Sequence, residues 1–306
     1  MRIIVVYGGL SAERQSSINT GNAVFSSLVT LNYDVRLFDF KNNTYEFIEL
    51  IRQFSPDLVY NALHGGIGEN GTMQGLLDML GIAYIGSGVL ANAISLNKYM
   101  TKLLLKGAGY DVPKGILLRK NSSLDYSKIV EKNKVMFPLI VKPNSQGSKL
   151  GIKLAKNYDE MVLAIDEAFF IDNEIILEEY IEGQEYAVSL VELNQKLTML
   201  PVVAIDHIDN TSDYMSNEKS KYRMIDKELS LINVLNETCL GIFDLFDMKD
   251  FARFDIIVSE EKCFVLEISS LPGMSRKSVI PRAANLMGID YNTLIYKMIK
   301  GKNYEN

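Results

Sequence analysis

The chain opens with apolar runs that alternate with stretches of helical period. Residues 2–9 (RIIVVYGG), 34–40 (DVRLFDF) and 57–65 (DLVYNALHG) read as strands, separated by segments whose apolar residues recur at helical spacing. Strand and helix in turn is the pattern of a parallel sheet covered by helices, here predicted over residues 1–95. Two of these strands run straight into glycines, Gly8-Gly9 and Gly65-Gly66. Ligands gather where such strands end and turn into helices, so both loops are candidate site elements.

The pattern then changes. A helical stretch, KYMTKLLLKGAG, opens a second block and closes on its own glycines; Pro113 enforces a break after it. The strand FPLIVKP, the loop NSQGSKLG, a helix around DEMVLAIDEAFF and the strand IILEEYI complete a small α+β unit, residues 96–181. A third block, residues 182–306, begins with the strands YAVSLVEL and LTMLPVVAI. It passes through a polar stretch at 210–222, a helix from Leu229 and the strands FARFDIIV and CFVLEIS, and ends in helices. The polar stretch has little to bury and is the candidate lid.

Composition narrows the class of protein. Of 306 residues 47% are hydrophobic and 23% charged, the balance of a globular chain, and this length predicts two or three domains. Thirty-two Lys+Arg against 38 Asp+Glu give a net charge of -6. That leaves no general attraction to nucleic acid or to an anionic membrane, so any phosphate must be bound locally. The apolar run at the N-terminus is too short for a secretion signal or a membrane span, and Cys239 and Cys263 lack metal-ligand spacing; both features predict a reduced, cytoplasmic protein.

Chemistry concentrates in the last two strands. With a side-chain period of two, Arg253 and Asp255 share one face of their strand, and Glu267 and Ser269 share one face of the next. A hairpin would bring two carboxylates together beside a cation. A solvent-facing ion pair is the ordinary reading of such residues. Here both strands are otherwise apolar, and the second runs on to Leu271-Pro272-Gly273, a programmed turn. Two carboxylates and a hydroxyl are hard oxygen donors suited to Mg²⁺, which takes phosphate oxygens as its remaining ligands. Lys142 ends a buried strand, which is costly unless an anion meets it, and the loop after it carries Gly147, Ser148 and Gly151. Taken singly, Lys98, Glu178, Glu179 and Glu185 read as solvated charges, His64 as a structural hydrogen-bonder or a site residue, and Glu13 as a helix N-terminal carboxylate or a ligand. His207 reads as a surface residue.

In order along the chain, GGLSAERQSSINTG, HGGIGENGTMQG, YIGSGVLANAISLNKYMTK, FPLIVKPNSQGSKLG, LEEYIEGQEYAV and RFDIIV with VLEISSLPGMS resemble six blocks of the D-alanine–D-alanine ligases. The resemblance implies the ATP-grasp fold, α/β and α+β, with an N-terminal Rossmann-like domain in front of two ATP-grasp domains. It implies an ATP-dependent ligase of peptidoglycan precursor synthesis that joins two amino acids through an acyl phosphate. Its cofactors would be ATP and Mg²⁺, or Mn²⁺ in its place, and the enzyme would be a homodimer acting on small molecules.

By position, the resemblance gives Lys98, Lys142 and Lys221 the ATP phosphates and adenine side. Glu178, Glu179, Tyr180 and Ile181 read the base, and Glu185 the ribose. Asp255, Glu267 and Ser269 surround the metal. Arg253 and the Gly273 backbone stabilise the oxyanion. Glu13, with His64 nearby, holds the first amino acid, Ser148 and Tyr222 help orient the substrates, and Ser278 with Val279 holds the second. The chain departs from the family pattern with Ser269 for Asn, Asn97 for Asp, Gln146 and Lys149 for Glu and Ser, and a lid whose Lys-Tyr pair falls at Lys221-Tyr222. Those departures leave open a ligase of the same fold with another amino acid or hydroxy acid, or a weakly active nucleotide-binding homologue.

Overall fold

The computed structural model describes residues 1–120, 125–207, 220–225, 229–260 and 262–300. Three sheets organise it. The first is parallel, in the order β2 (Asp34–Phe40), β1 (Arg2–Gly8), β3 (Leu58–Asn61) and β4 (Tyr84–Ile85). Its strands are near-continuous apolar runs because helices cover them: α1 (Arg14–Thr30), α2 (Thr44–Phe54) and α3 (Thr72–Met79) connect them. Helices α4 (Val89–Leu96) and α5 (Lys98–Gly107) lead on, and α5 starts where the Asn97 side chain accepts a hydrogen bond from the Met100 N–H.

The second sheet is antiparallel, in the order β5 (Gly115–Arg119), β8 (Glu174–Glu179), β6 (Leu139–Pro143) and β7 (Lys153–Ala155). It carries α6 (Tyr126–Asn133) and α7 (Tyr158–Ile171), which bury Ile165 and Phe169 of α7 with Leu139, Val141 and Ile175 of the strands. The third sheet, also antiparallel, runs β12 (Ser220–Met224), β11 (Val203–His207), β9 (Gln184–Leu193), β13 (Phe251–Ser259) and β14 (Lys262–Ser269), with β10 (Lys196–Met199) also on β9. Helix α8 (Leu229–Leu245) packs on it, and α9 (Val279–Leu286) and α10 (Tyr291–Lys300) follow.

One expectation needs correction. The single strand read at LTMLPVVAI is two, β10 and β11, because Pro201 lies between them and has no N–H to give a ladder. The first and third blocks share a core, an arrangement on which the sequence pattern made no statement. Leu294, Ile295 and Met298 of α10 are buried in one cluster with Ile3 and Val5 of β1 and Val24 and Leu28 of α1. Among the described residues no helix is long and apolar enough to cross a membrane. Cys239 in α8 and Cys263 in β14 are both free, and burial pushes their thiols up. The polar lid stretch lies outside the described residues as far as 219; its last three residues begin β12. His207 ends β11.

Candidate active site

A cleft runs between the two antiparallel sheets and back to the carboxyl ends of the parallel strands. Its wider part, about 320 Å³, is lined by Glu13, His64, Lys98, Ser148, Glu185, Arg253, Asp255, Glu267, Ser269, Gly273, Ser278 and Val279. Its narrower part, about 70 Å³, is lined by Lys142, Glu178, Glu179, Tyr180 and Ile181, and shares Glu185, Asp255 and Glu267 with the first. The residues singled out in the sequence therefore meet in one place, while for Lys221 and Tyr222 the structure describes the backbone alone. The backbone of that pair lies on β12 at the sheet edge, opposite Asp206 and Ile205.

At the parallel-sheet end, Glu13 precedes α1 just beyond the Gly8-Gly9 turn. Arg14 fixes that turn by donating to both Asp39 carboxylate oxygens (2.9 and 2.7 Å) and to the Gly9 carbonyl (2.9 Å). The Ser17 hydroxyl ties β1 to β3, accepting from the Gly8 N–H and donating to the Ala62 carbonyl, both at 2.7 Å. Ser148 donates to Glu13 Oε1. The loop comes so close that a Cβ on Gly147 would lie 2.7 Å from Glu13 Oε2, and the Glu13 carboxylate would have to move to admit it. Burial pushes the Glu13 carboxyl up, and nearby Glu69 adds to this against the Ser148 hydrogen bond. His64 is buried, with Nδ1 3.1 Å from Glu69 Oε1 and Nε2 3.0 Å from the Thr20 hydroxyl. Both ring nitrogens are thus engaged, which serves orientation first.

In the middle, β13 and β14 form the predicted hairpin, with Arg253 opposite Ser269 and Asp255 opposite Glu267; the register shifts just after Asp255. Arg253 clamps Asp255 with Nε to Oδ1 at 2.9 Å and Nη2 to Oδ2 at 2.8 Å, and Nη2 lies 3.8 Å from Glu267. Lys98 lies 3.4 Å from the other Glu267 oxygen and donates to the Gln146 carbonyl at 2.5 Å. Burial pushes Glu267 up, but Lys98, Arg253 and Lys142 together pull it down to about 2. For Asp255 burial wins and its carboxyl is raised, Arg253 offsetting only part. The two facing carboxylates and Ser269 open on one cavity and suit a small hard cation completed by phosphate oxygens.

The far end corrects the reading of solvated charges. Lys98, Glu178 and Glu185 are all buried, and the Glu179 carboxylate accepts from the Lys114 N–H at 2.9 Å. Glu178 is held on both oxygens, by Lys142 at 2.7 Å and by Lys102. Sequence reasoning missed Lys102, whose only signal was its place one helical turn beyond Lys98 in α5. Lys149 was noted only as a departure, yet its ammonium is buried between the two cavities, 4.0 Å from Glu185 Oε1, and makes no hydrogen bond among the described residues.

Two antiparallel sheets enclosing a cleft of lysines and carboxylates, set behind a parallel sheet, define an ATP-grasp protein. Family models described as the D-ala D-ala ligase N-terminus and C-terminus match residues 45–87 and 104–300. The chain is 33% identical over 303 residues to a D-alanine–D-alanine ligase of Bacillus anthracis, covering 98% of this chain and 96% of that one. It is 35% identical over 314 residues to a D-alanine–D-alanine ligase of Buchnera aphidicola, covering 98% of each. The crystal structure of a Bacillus anthracis D-alanine–D-alanine ligase complexed with ATP superposes with a TM-score of 0.84 at 32% identity, over 98% and 97% of the two chains. The chain belongs to the D-alanine–D-alanine ligase family.

Proposed function

We propose that this protein is a cytoplasmic, homodimeric D-alanine–D-alanine ligase that forms ADP and phosphate in peptidoglycan precursor synthesis. One observation carries the reading. A single cleft holds a carboxylate–serine pair at the end of a parallel sheet, a cation-braced carboxylate hairpin in the middle and a doubly lysine-held glutamate beyond. That order matches amino acid, phosphoryl group and nucleotide along one line.

A carboxylate is a poor electrophile, so the first amino acid attacks the γ-phosphate of ATP to give an acyl phosphate and ADP. The amine of the second then attacks the acyl carbon and phosphate leaves. Glu13 holds the first ammonium, with Ser148 and Tyr222 orienting the reactants; Ser278 and Val279 receive the second carboxylate. Lys98, Lys142 and Lys221 neutralise phosphate charge, which is most of what phosphoryl transfer asks of a protein. Arg253 and the Gly273 N–H face the oxyanion of the tetrahedral intermediate. Tyr180, Ile181 and Glu179 flank the base and Glu185 meets the ribose. Asp255, Glu267 and Ser269 would hold Mg²⁺, which supplies charge neutralisation between the phosphates when bound.

The test is the purified protein with ATP, Mg²⁺ and a panel of D- and L-amino acids, with product mass and phosphate followed together. D-alanyl-D-alanine with stoichiometric ADP and phosphate is expected. Pyrophosphate as the main product, or nucleotide turnover indifferent to any amino acid, would overturn the reading.

A further inference from the structure

Behind the narrow end of the cleft lies a charged group that no step above uses. Lys102 is buried in α5, lines neither part of the cleft, and makes an ion pair with Glu178 Oε1. Its partner does face the cleft: Glu178 lines the narrow part, and its other oxygen is held by Lys142 at 2.7 Å. The stem of Glu178 is confined as well, since a Cβ on Gly115 of the neighbouring strand would lie 2.9 Å from its Cγ. Burial alone would push this carboxyl up, but the two lysines outweigh it and hold the group ionised. An ionised carboxylate only accepts hydrogen bonds. Around it the walls are apolar, with Ile140, Ile152, Ile181, Ile257 and Leu266.

We propose that Lys102 is a positioning residue for base selection, holding Glu178 from behind in one orientation as a fixed acceptor at the end of an apolar slot. The slot then accepts a purine that presents an amino group at its six position and rejects one that presents a carbonyl oxygen there, since two acceptors would face each other in a dry site. Adenine has the first pattern; hypoxanthine has the second, and its N1 carries a hydrogen where adenine N1 accepts one. Lys142 cannot do this alone. It faces the cleft and also serves phosphate, so a carboxylate tied only to Lys142 would follow the phosphate contact instead of the base. The inference rests on the reading of this cleft as a nucleotide site.

The test compares ATP with ITP, both in direct binding by calorimetry and in amino-acid-dependent turnover, for the wild-type protein, Lys102→Met and Gly115→Ala. The alanine variant leaves every charge in place and crowds the Glu178 stem first, with the Leu177 carbonyl and Ile176 next to it. Wild-type protein is expected to favour ATP by about 10²-fold, the cost of leaving a buried acceptor unpaired. Both variants are expected to narrow that preference by about tenfold or more, with turnover at saturating ATP changed only a few-fold. Equal losses for ATP and ITP, or an unchanged preference in both variants, would overturn the role of Lys102. A wild-type protein that binds neither nucleotide overturns it together with the nucleotide reading. If Lys102→Met does not fold, Gly115→Ala and Lys102→Gln decide the matter by the same ratio.

Discussion

The two charged clusters of the cleft are built in different ratio. On the β13–β14 hairpin two carboxylates, Asp255 and Glu267, face one arginine, with Lys98 reaching in from α5. A few residues away two lysines, Lys102 and Lys142, close on one glutamate. In the first, burial raises Asp255 while, against burial, Lys98, Arg253 and Lys142 pull Glu267 down to about 2. In the second, Lys142 keeps its proton firmly: burial opposes it but Glu178 prevails. Lys102 is pulled down to about 7 by burial, against Glu178. The cleft is thus graded, attracting a cation at one point and an anion at the next. A metal-bound polyphosphate needs that gradation to lie along one line.

Removing charge from the cation-seeking half should have the largest effect. Glu267→Gln is expected to lower turnover by about 10³-fold and to raise the Mg²⁺ concentration needed for half-maximal rate, since it strips the site of a hard anionic donor. Steady-state rates over a Mg²⁺ titration check this. Next, Arg253→Ala should lower turnover by about 10²-fold while leaving the Kd for ATP nearly unchanged, because an oxyanion donor acts in the transition state. A variant that changed only the Michaelis constant would remove Arg253 from that role.

Lys149 tests the boundary between the clusters. Lys149→Ser deletes a buried ammonium facing Glu185 and should weaken metal-free ATP by about tenfold while affecting Mg²⁺-ATP less. Calorimetry with and without the metal distinguishes the two. A smaller effect is expected for Ser269→Asn, a longer oxygen donor for a cation held at about 2.1 Å. It should lower the Mg²⁺ midpoint, and an unchanged or raised midpoint would mean that Ser269 serves the sheet alone.

The smallest effect lies outside both clusters. Arg14 holds Asp39 below its usual value, chiefly by hydrogen bonding. A depressed carboxyl adds stability at pH above its unfolded value, and that part is lost as pH falls through the lower folded value. Asp39→Asn should therefore cost about 2 °C of Tm or less at neutral pH, the pair being partly exposed, and nothing once the pH is below both values. Melting curves from pH 7 to pH 2 give the comparison.

The hairpin was legible in the sequence because a period of two fixes which side chains share a face, and apolar neighbours made exposed charges implausible. Parallel strands announced themselves as apolar runs ending in glycine. By contrast, the burial of Glu178 and the role of Lys102 depend on α5 laying one lysine against β8, 76 residues later in the chain. No local pattern encodes that approach, and charge type alone favours solvent. The short strands β5 and β7 and helix α6 also escaped notice, each being too short to show a clear period. Nor could segments read in order reveal that α10 completes the core of the first sheet.

That shared core sets a schedule for synthesis. The first strand leaves the ribosome nearly 300 residues before Ile295 and Met298, which share its buried cluster. Until they arrive, α1 has a bare apolar flank and the Glu13 loop stands on an unfinished platform. Ribosome-stalled chains ending before residue 290 are therefore expected to be cut by protease within residues 1–30, and chains carrying all of α10 to resist. In this protein, completion of the Glu13 platform and cover for the apolar flank of α1 both wait on α10.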